Sequence, residues 1–152
     1  MSKRRYEADE TKIARFHKEG RGNGIGKDYK PWLTVQDVSS NGRSSRIYSF
    51  KTGRNHHFLS DLETGLFHLV NWSDAVLDIR EQYPLDRAVT RMIANEMGII
   101  HPRDTKTKTD IVMTTDFVID VIGADNNRFT KAISVKPASA LENKRTLEKQ
   151  EL

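Results

Sequence analysis

The sequence contains no cysteine and no long apolar run, and both absences limit what the protein can be. Without cysteine there can be no disulfide framework and no thiolate zinc site. No apolar stretch approaches the roughly 20 residues needed to span a bilayer, and no apolar segment of signal-peptide type follows the basic first residues. These features favour a bacterial cytoplasmic protein without a membrane partner.

The chain has 152 residues, which is the size of one domain, and its positive charge is unevenly distributed. We predict a single domain over 1–152, with residues 1–7 disordered. Residues 1–57 carry 13 basic and 6 acidic side chains, whereas the remainder carries 12 and 15. A basic front half can bind the phosphates of DNA, although a solvated basic arm would have the same composition. The candidate DNA-binding residues are Arg21, Lys27, Lys30, Arg43, Arg46, Lys51 and Arg54.

Apolar periodicity and terminal signals predict an α/β protein with helices over 8–19, 60–72, 87–97 and 139–152. The second helix should bury Leu62, Leu66, Leu69 and Val70. The third should bury Val89, Met92, Ile93 and Met97. Strands are predicted over 29–38, 46–50 and 75–80, with a turn around Asn41-Gly42 joining the first two.

A glycine-rich segment, 20–28, separates the first predicted helix from the first predicted strand. Its glycine spacing fits neither a phosphate loop nor a dinucleotide fingerprint. Its composition favours a flexible linker, and the alternative is a loop whose bare backbone approaches DNA phosphates.

The most informative stretch is a predicted β-hairpin over 115–136. Two runs rich in β-branched and aromatic residues flank a Gly/Asp/Asn turn, so Asp116 could lie beside Ser134 and Lys136. A carboxylate can hold a divalent cation and a lysine can orient water or neutralise charge on a phosphate, which suits metal-assisted phosphodiester cleavage. Solvated edge residues would show the same pattern.

Glu63 also has two interpretations. Ser60 and Glu63 match a capping box, in which the glutamate reaches back to the backbone N–H of Ser60. A glutamate on the first turn of a helix can equally face a metal site.

Six segments of the chain, in matching order, resemble the TnsA family of transposition endonucleases. They are 19–36, 60–63, 76–85, 115–117, 135–138 and 145–149. The resemblance covers nearly the whole chain from about residue 11.

The resemblance implies a restriction-endonuclease-like fold, with a central mixed β-sheet flanked by helices and a site of the PD-(D/E)xK type. Glu63, Asp116 and Lys136 occupy the positions of the family's catalytic residues, and Glu63, Asp116 and the Val135 carbonyl those of its metal ligands. The implied activity is Mg²⁺-dependent cleavage of double-stranded DNA at the 5′ ends of a transposon, with Mn²⁺ as a substitute ion. The implied partners are a DDE transposase subunit, TnsB, and an AAA+ regulator, TnsC.

Two departures from the family pattern keep an alternative open. Ser134 occupies a position that is acidic in most such nucleases, and a hydroxyl is a weaker ligand for a hard cation than a carboxylate. The family also continues beyond this chain through a further acidic residue into a winged-helix-like domain. The alternatives are therefore a catalytically weak DNA-binding or assembly module, or a restriction or repair nuclease of the same fold.

Overall fold

A three-stranded antiparallel sheet forms the centre of the structure, a computed structural model that describes residues 7–38 and 43–152. Its strands are β3 (Val76–Pro84), β4 (Thr114–Ile122) and β5 (Arg128–Ile133). Strand β4 is central, pairing with β3 and β5. The β4–β5 connection is the hairpin that the sequence predicts, with Phe117 opposite Ile133 and Ile122 opposite Arg128.

The described residues also form helices and a second strand pair. They are helices α1 (Glu10–Lys18), α2 (Asp61–Trp72), α3 (Arg87–Met97) and α4 (Lys144–Glu151), and a second antiparallel pair formed by β1 (Ser45–Ser49) and β2 (Arg54–Phe58). Short 3₁₀ helices cover Gly26–Asp28 and Ala138–Glu142. Aromatic and aliphatic side chains from β2, α2, β3 and β4 form the main core, which includes Phe58, Phe67, Ile79, Phe117 and Ile119.

The α/β class is confirmed, but the strand arrangement differs from the prediction. Within the described ranges every strand pairing is antiparallel, in two small sheets rather than one mixed sheet. The same ranges contain no helix that is both long and apolar enough to cross a bilayer.

The predicted strand over 29–38 is wrong. This segment is a series of turns, although Trp32 is buried against α1 and its backbone N–H donates to the Gln82 carbonyl at 3.0 Å. Strand β1 therefore pairs with β2. The predicted turn around Asn41-Gly42 lies outside the described residues, as do residues 1–6. Glu7, which the sequence predicts to be disordered, forms an ion pair with Lys106 at 2.7 Å.

The predicted ends of α2 and α3 agree with the structure more closely than their predicted buried faces do. Ser60 and Asp86 cap α2 and α3, and Gly98 ends α3 in the left-handed conformation. The predicted buried face of α2 is wrong at Leu62 and Leu69, which are 48% and 71% exposed. The buried residues of α2 are Glu63, Phe67 and Val70. In α3 the buried residues are Thr90 and Ala94, while Val89, Met92 and Met97 are exposed.

The glycine-rich segment is a folded loop, so the linker interpretation is wrong. Its backbone bonds include Gly22 N–H to the Lys30 carbonyl at 2.6 Å and Asn23 N–H to the Gly20 carbonyl at 3.2 Å. Gly22 has a φ of +84°, and a Cβ there would lie 2.3 Å from Cγ of Pro84. Only glycine permits both this backbone conformation and this close approach to β3.

Candidate active site

The hairpin brings Asp116 on β4 together with the residues that follow β5. The Val135 N–H donates to Asp116 Oδ2 at 2.7 Å, and the Ser134 hydroxyl lies 3.4 Å from the same oxygen. Because Ile133 is opposite Phe117, the chain leaving β5 passes directly beside Asp116. The predicted proximity of Asp116 and Ser134 is therefore present in the structure, and Lys136, the other predicted neighbour, lines the same cleft as Asp116.

Glu63 reaches the same region from the first turn of α2. The Ser60 hydroxyl accepts from the Glu63 N–H at 3.2 Å, which is one half of the predicted capping box. The Glu63 carboxylate accepts from the Leu59 N–H, at 2.6 Å, rather than from the Ser60 N–H. Glu63 thus helps to cap its helix while its side chain points into the interior, where it is only 7% exposed.

Burial and the neighbouring Asp116 change the acidity of Glu63. Burial raises the pKa of Glu63, and the charge of Asp116 raises it further, to about 7, against the opposing hydrogen bond from the Leu59 N–H. Two carboxyl groups held in contact cannot both ionise without repulsion. The pair is thus a place where a cation would lower the electrostatic energy.

Gln82 on β3 is a third polar side chain in this region, and sequence reasoning missed it. Its Nε2 donates to Glu63 Oε1 at 3.1 Å, and its Oε1 lies 3.4 Å from the Thr114 hydroxyl. The predicted strand ends at residue 80, two residues before Gln82. The run of polar residues after Ile79 gave no sign that this strand continues into the interior.

Asp116 and Lys136 open onto a cleft of about 740 Å³ between the hairpin and α4. Lys136 is exposed there, and Arg103 and Lys149 also line the cleft. None of the seven candidate DNA-binding residues from the front half lines it. The cations that line this cleft therefore come from the second half of the chain, which has the negative net charge.

Arg54 is a correction to the predicted DNA-binding set, because it is buried. Its guanidinium lies 2.7 Å from Glu81 Oε1 and donates to the Ile79 carbonyl at 2.8 Å. His56 Nδ1 lies 2.9 Å from Glu81 Oε2. Burial opposes ionisation of Glu81, but His56 and Arg54 outweigh it and lower the pKa of Glu81. This network attaches β2 to β3, so Arg54 is a structural residue.

Arg21 is also held within the fold. Its guanidinium donates to Asp37 Oδ2 at 2.7 Å and to the Trp32 carbonyl at 2.9 Å. The Cζ atom of Arg21 lies 3.7 Å from the centre of the Phe16 ring. These contacts fasten the glycine-rich loop to α1 and leave the Arg21 side chain 15% exposed.

The other five candidate cations differ in how firmly they are held. Lys51 donates to the Ser73 carbonyl at 2.5 Å, and burial lowers the pKa of Lys51. Lys30 donates to the Glu19 carbonyl at 3.1 Å from an exposed position. Lys27, Arg43 and Arg46 are exposed.

The donor set suits a hard divalent cation only in part. Glu63 and Asp116 supply carboxylate oxygens, and the position of Val135 beside Asp116 would allow its carbonyl to contribute. Among the described residues no group of three or more His, Cys, Asp or Glu side chains converges on one point. A six-coordinate ion bound here would therefore need water or substrate oxygens for its remaining positions.

Helices α1 to α4 and the antiparallel strands give a mixed α/β fold, consistent with the restriction-endonuclease-like fold of TnsA-like domains. The family model described as TnsA-like endonuclease N terminal matches residues 73–152, just over half of the chain. The chain belongs to this family.

One curated relative extends the likeness to the whole chain. The Transposon Tn7 transposition protein TnsA of Escherichia coli is 55% identical over 152 residues, which is all of this chain and 54% of the relative. The chain thus spans about half the length of the curated relative it matches.

Proposed function

We propose that this chain is the metal-dependent endonuclease domain of a transposase, cutting double-stranded DNA at the 5′ ends of a transposon in the bacterial cytoplasm. The proposed cofactor is Mg²⁺, with Mn²⁺ as a substitute. The proposed partners are a DDE transposase subunit of the TnsB type and an AAA+ regulator of the TnsC type. The observation that carries the proposal is that Asp116 and Lys136 line one cleft, with Glu63 near enough to Asp116 for the charge of Asp116 to raise the pKa of Glu63.

Each side chain has a separate proposed role. Glu63 and Asp116 would hold the divalent ion, together with the carbonyl of Val135. A bound Mg²⁺ lowers the pKa of water and stabilises negative charge on a phosphate. Lys136, exposed in the cleft, would orient the attacking water and neutralise charge on the scissile phosphate.

Ser134 favours a second candidate function, a DNA-binding or assembly module with little catalytic activity. Its hydroxyl lies 3.4 Å from Asp116 Oδ2 at a position where a third carboxylate would strengthen the site. A site with two carboxylates binds a hard cation more weakly than a site with three.

Metal binding separates the two functions. We would titrate Mn²⁺ into the wild type, Asp116→Ala and Asp61→Ala by calorimetry, because Asp61 is an exposed carboxylate on the same helix turn as Glu63. Binding by the wild type and Asp61→Ala that is lost in Asp116→Ala supports the endonuclease. Absence of binding in all three favours the assembly module.

Cleavage tests the role of Lys136. In a nicking assay on supercoiled DNA that carries transposon ends, Lys136→Ala should reduce the rate by about 100-fold or more, the typical contribution of a positioned catalytic group. Its Mn²⁺ affinity should stay close to that of the wild type. Loss of Mn²⁺ binding in this variant would contradict the role given to Lys136.

A further inference from the structure

Gln82 has an unusual backbone conformation for its residue type and location. Its φ is +46°, in the left-handed region, although it lies inside strand β3 and is 4% exposed. The other two non-glycine residues with positive φ in the described ranges, Lys108 and Asn126, are exposed outside the strands. Strained backbone in the interior persists only when surrounding contacts hold it in place, and such strain is concentrated at functional sites.

The surrounding contacts place Gln82 at the carboxylate pair. Glu81 is opposite Phe117 and Tyr83 is opposite Thr115, so Gln82 occupies the register position of Asp116. Its carbonyl accepts from the Trp32 N–H at 3.0 Å. Its amide nitrogen donates to Glu63 Oε1. Gln82 is thus the residue of β3 that touches one carboxylate and lies across from the other.

We propose that Gln82 is a positioning residue, which holds the Glu63 carboxylate in the orientation needed to share a cation with Asp116. This inference rests on the metal site of the proposed function. The Leu59 N–H fixes Glu63 Oε2 and Gln82 Nε2 fixes Oε1, so both oxygens of the carboxylate have a defined direction. An amide does this without adding a third negative charge. Hydrogen bonds that orient a metal ligand typically change metal affinity by about 10- to 100-fold.

Two variants separate this role from a general effect on folding. Gln82→Gly removes the amide and relieves the backbone strain, whereas Gln82→Met removes the amide, keeps the side-chain volume and retains the strain. The two changes affect stability through different mechanisms. If Gln82 positions Glu63, both variants should bind Mn²⁺ at least tenfold more weakly than the wild type by calorimetry, whatever the direction of their Tm shifts.

Lys108→Gly is the matched control, since it makes the same backbone change at an exposed residue with a φ of +60°. Its Mn²⁺ affinity should equal that of the wild type. Wild-type affinity in either Gln82 variant would overturn this inference and leave the proposed metal site intact. Absence of Mn²⁺ binding in the wild type would overturn both.

Discussion

Glu63 is the residue at which helix capping and the candidate metal site meet. Its carboxylate is bound by the Leu59 N–H and the Gln82 amide while it faces the charge of Asp116. Burial and Asp116 favour the neutral form of Glu63, whereas the hydrogen bond from the Leu59 N–H favours the ionised form. The effects of burial and Asp116 are larger than that of the hydrogen bond, so the pKa of Glu63 is raised to about 7.

Because of this raised pKa, we expect ionisation of Glu63 to destabilise the metal-free protein as the pH rises. The pKa is 4.5 in the unfolded chain and about 7 in the folded one, so the stabilising contribution of Glu63 is complete below pH 4.5 and is lost as the pH rises to 7. Glu63→Gln should therefore gain stability relative to the wild type between pH 5 and 8, by about 1–2 kcal/mol after allowance for partial solvent screening.

The measurement is urea unfolding of both proteins from pH 5 to 8 in the presence of a chelator. In an Asp116→Asn background the pH-dependent difference should become smaller, because the neighbouring charge is gone. A difference between wild type and Glu63→Gln that does not vary with pH would contradict the raised pKa.

The sequence indicated Asp116, Ser134 and Lys136 because a hairpin has a local signature and residues near its open end must be close together. It could not indicate Gln82, because no sequence pattern marks a glutamine in the left-handed conformation. It misassigned Arg54 for a related reason. The partner that buries Arg54 is Glu81, 27 positions away, and only the pairing of β2 with β3 brings the two together.

At the scale of elements, the glycine-rich loop joins α1 to the end of β3. Lys30 and Asn23 close it through backbone bonds, and the Tyr29 hydroxyl reaches the Glu81 carbonyl at 2.8 Å. Gly26 N–H donates to Asp78 Oδ2 at 3.2 Å, and Gly22 packs against Pro84. The loop therefore braces the strand that carries Gln82.

Gly22→Ala should strongly destabilise the packing of the glycine-rich loop on β3. The new Cβ would combine an unfavourable φ with a 2.3 Å contact to Pro84, for a cost of about 2–4 kcal/mol in the free energy of unfolding. Gly20→Ala is the control, because Gly20 has a φ of +78° but nothing within 4 Å of its Cβ position. It should cost about 1–2 kcal/mol. Equal losses in urea unfolding would show that the loop does not pack closely on β3.

Element ends were easier to predict than element faces. Ser60, Asp86 and Gly98 mark helix ends through local hydrogen bonds and backbone preferences, so they act in any tertiary context. The buried face of a helix depends on which other elements pack against it. Glu63 lies on the buried face of α2 because its carboxylate bonds to Gln82 and faces Asp116. The apolar pattern of the sequence predicts a face of leucines instead.

At the scale of the whole molecule, the positive charges form two groups with different surroundings. Three of the seven predicted DNA-binding cations, Arg21, Lys51 and Arg54, are used in contacts within the fold. Arg103, Lys136 and Lys149 line the cleft beside Asp116. Net charge by segment therefore indicated a nucleic-acid partner without indicating the surface that would contact it.

The salt dependence of DNA binding distinguishes these groups. If phosphates enter the cleft, Arg103→Ala and Lys149→Ala should each reduce the slope of log K against log salt concentration by about 1, since each lost phosphate contact releases one counterion fewer. Lys18→Ala, at an exposed lysine on α1, should leave the slope unchanged. Fluorescence anisotropy over a KCl series measures the slopes of these three variants and of Lys27→Ala and Arg46→Ala. Smaller slopes for Lys27→Ala and Arg46→Ala, with unchanged slopes for the cleft variants, would instead place the DNA on the front half of the chain. That outcome would require the DNA to reach Asp116 from the side of the glycine-rich loop and β1.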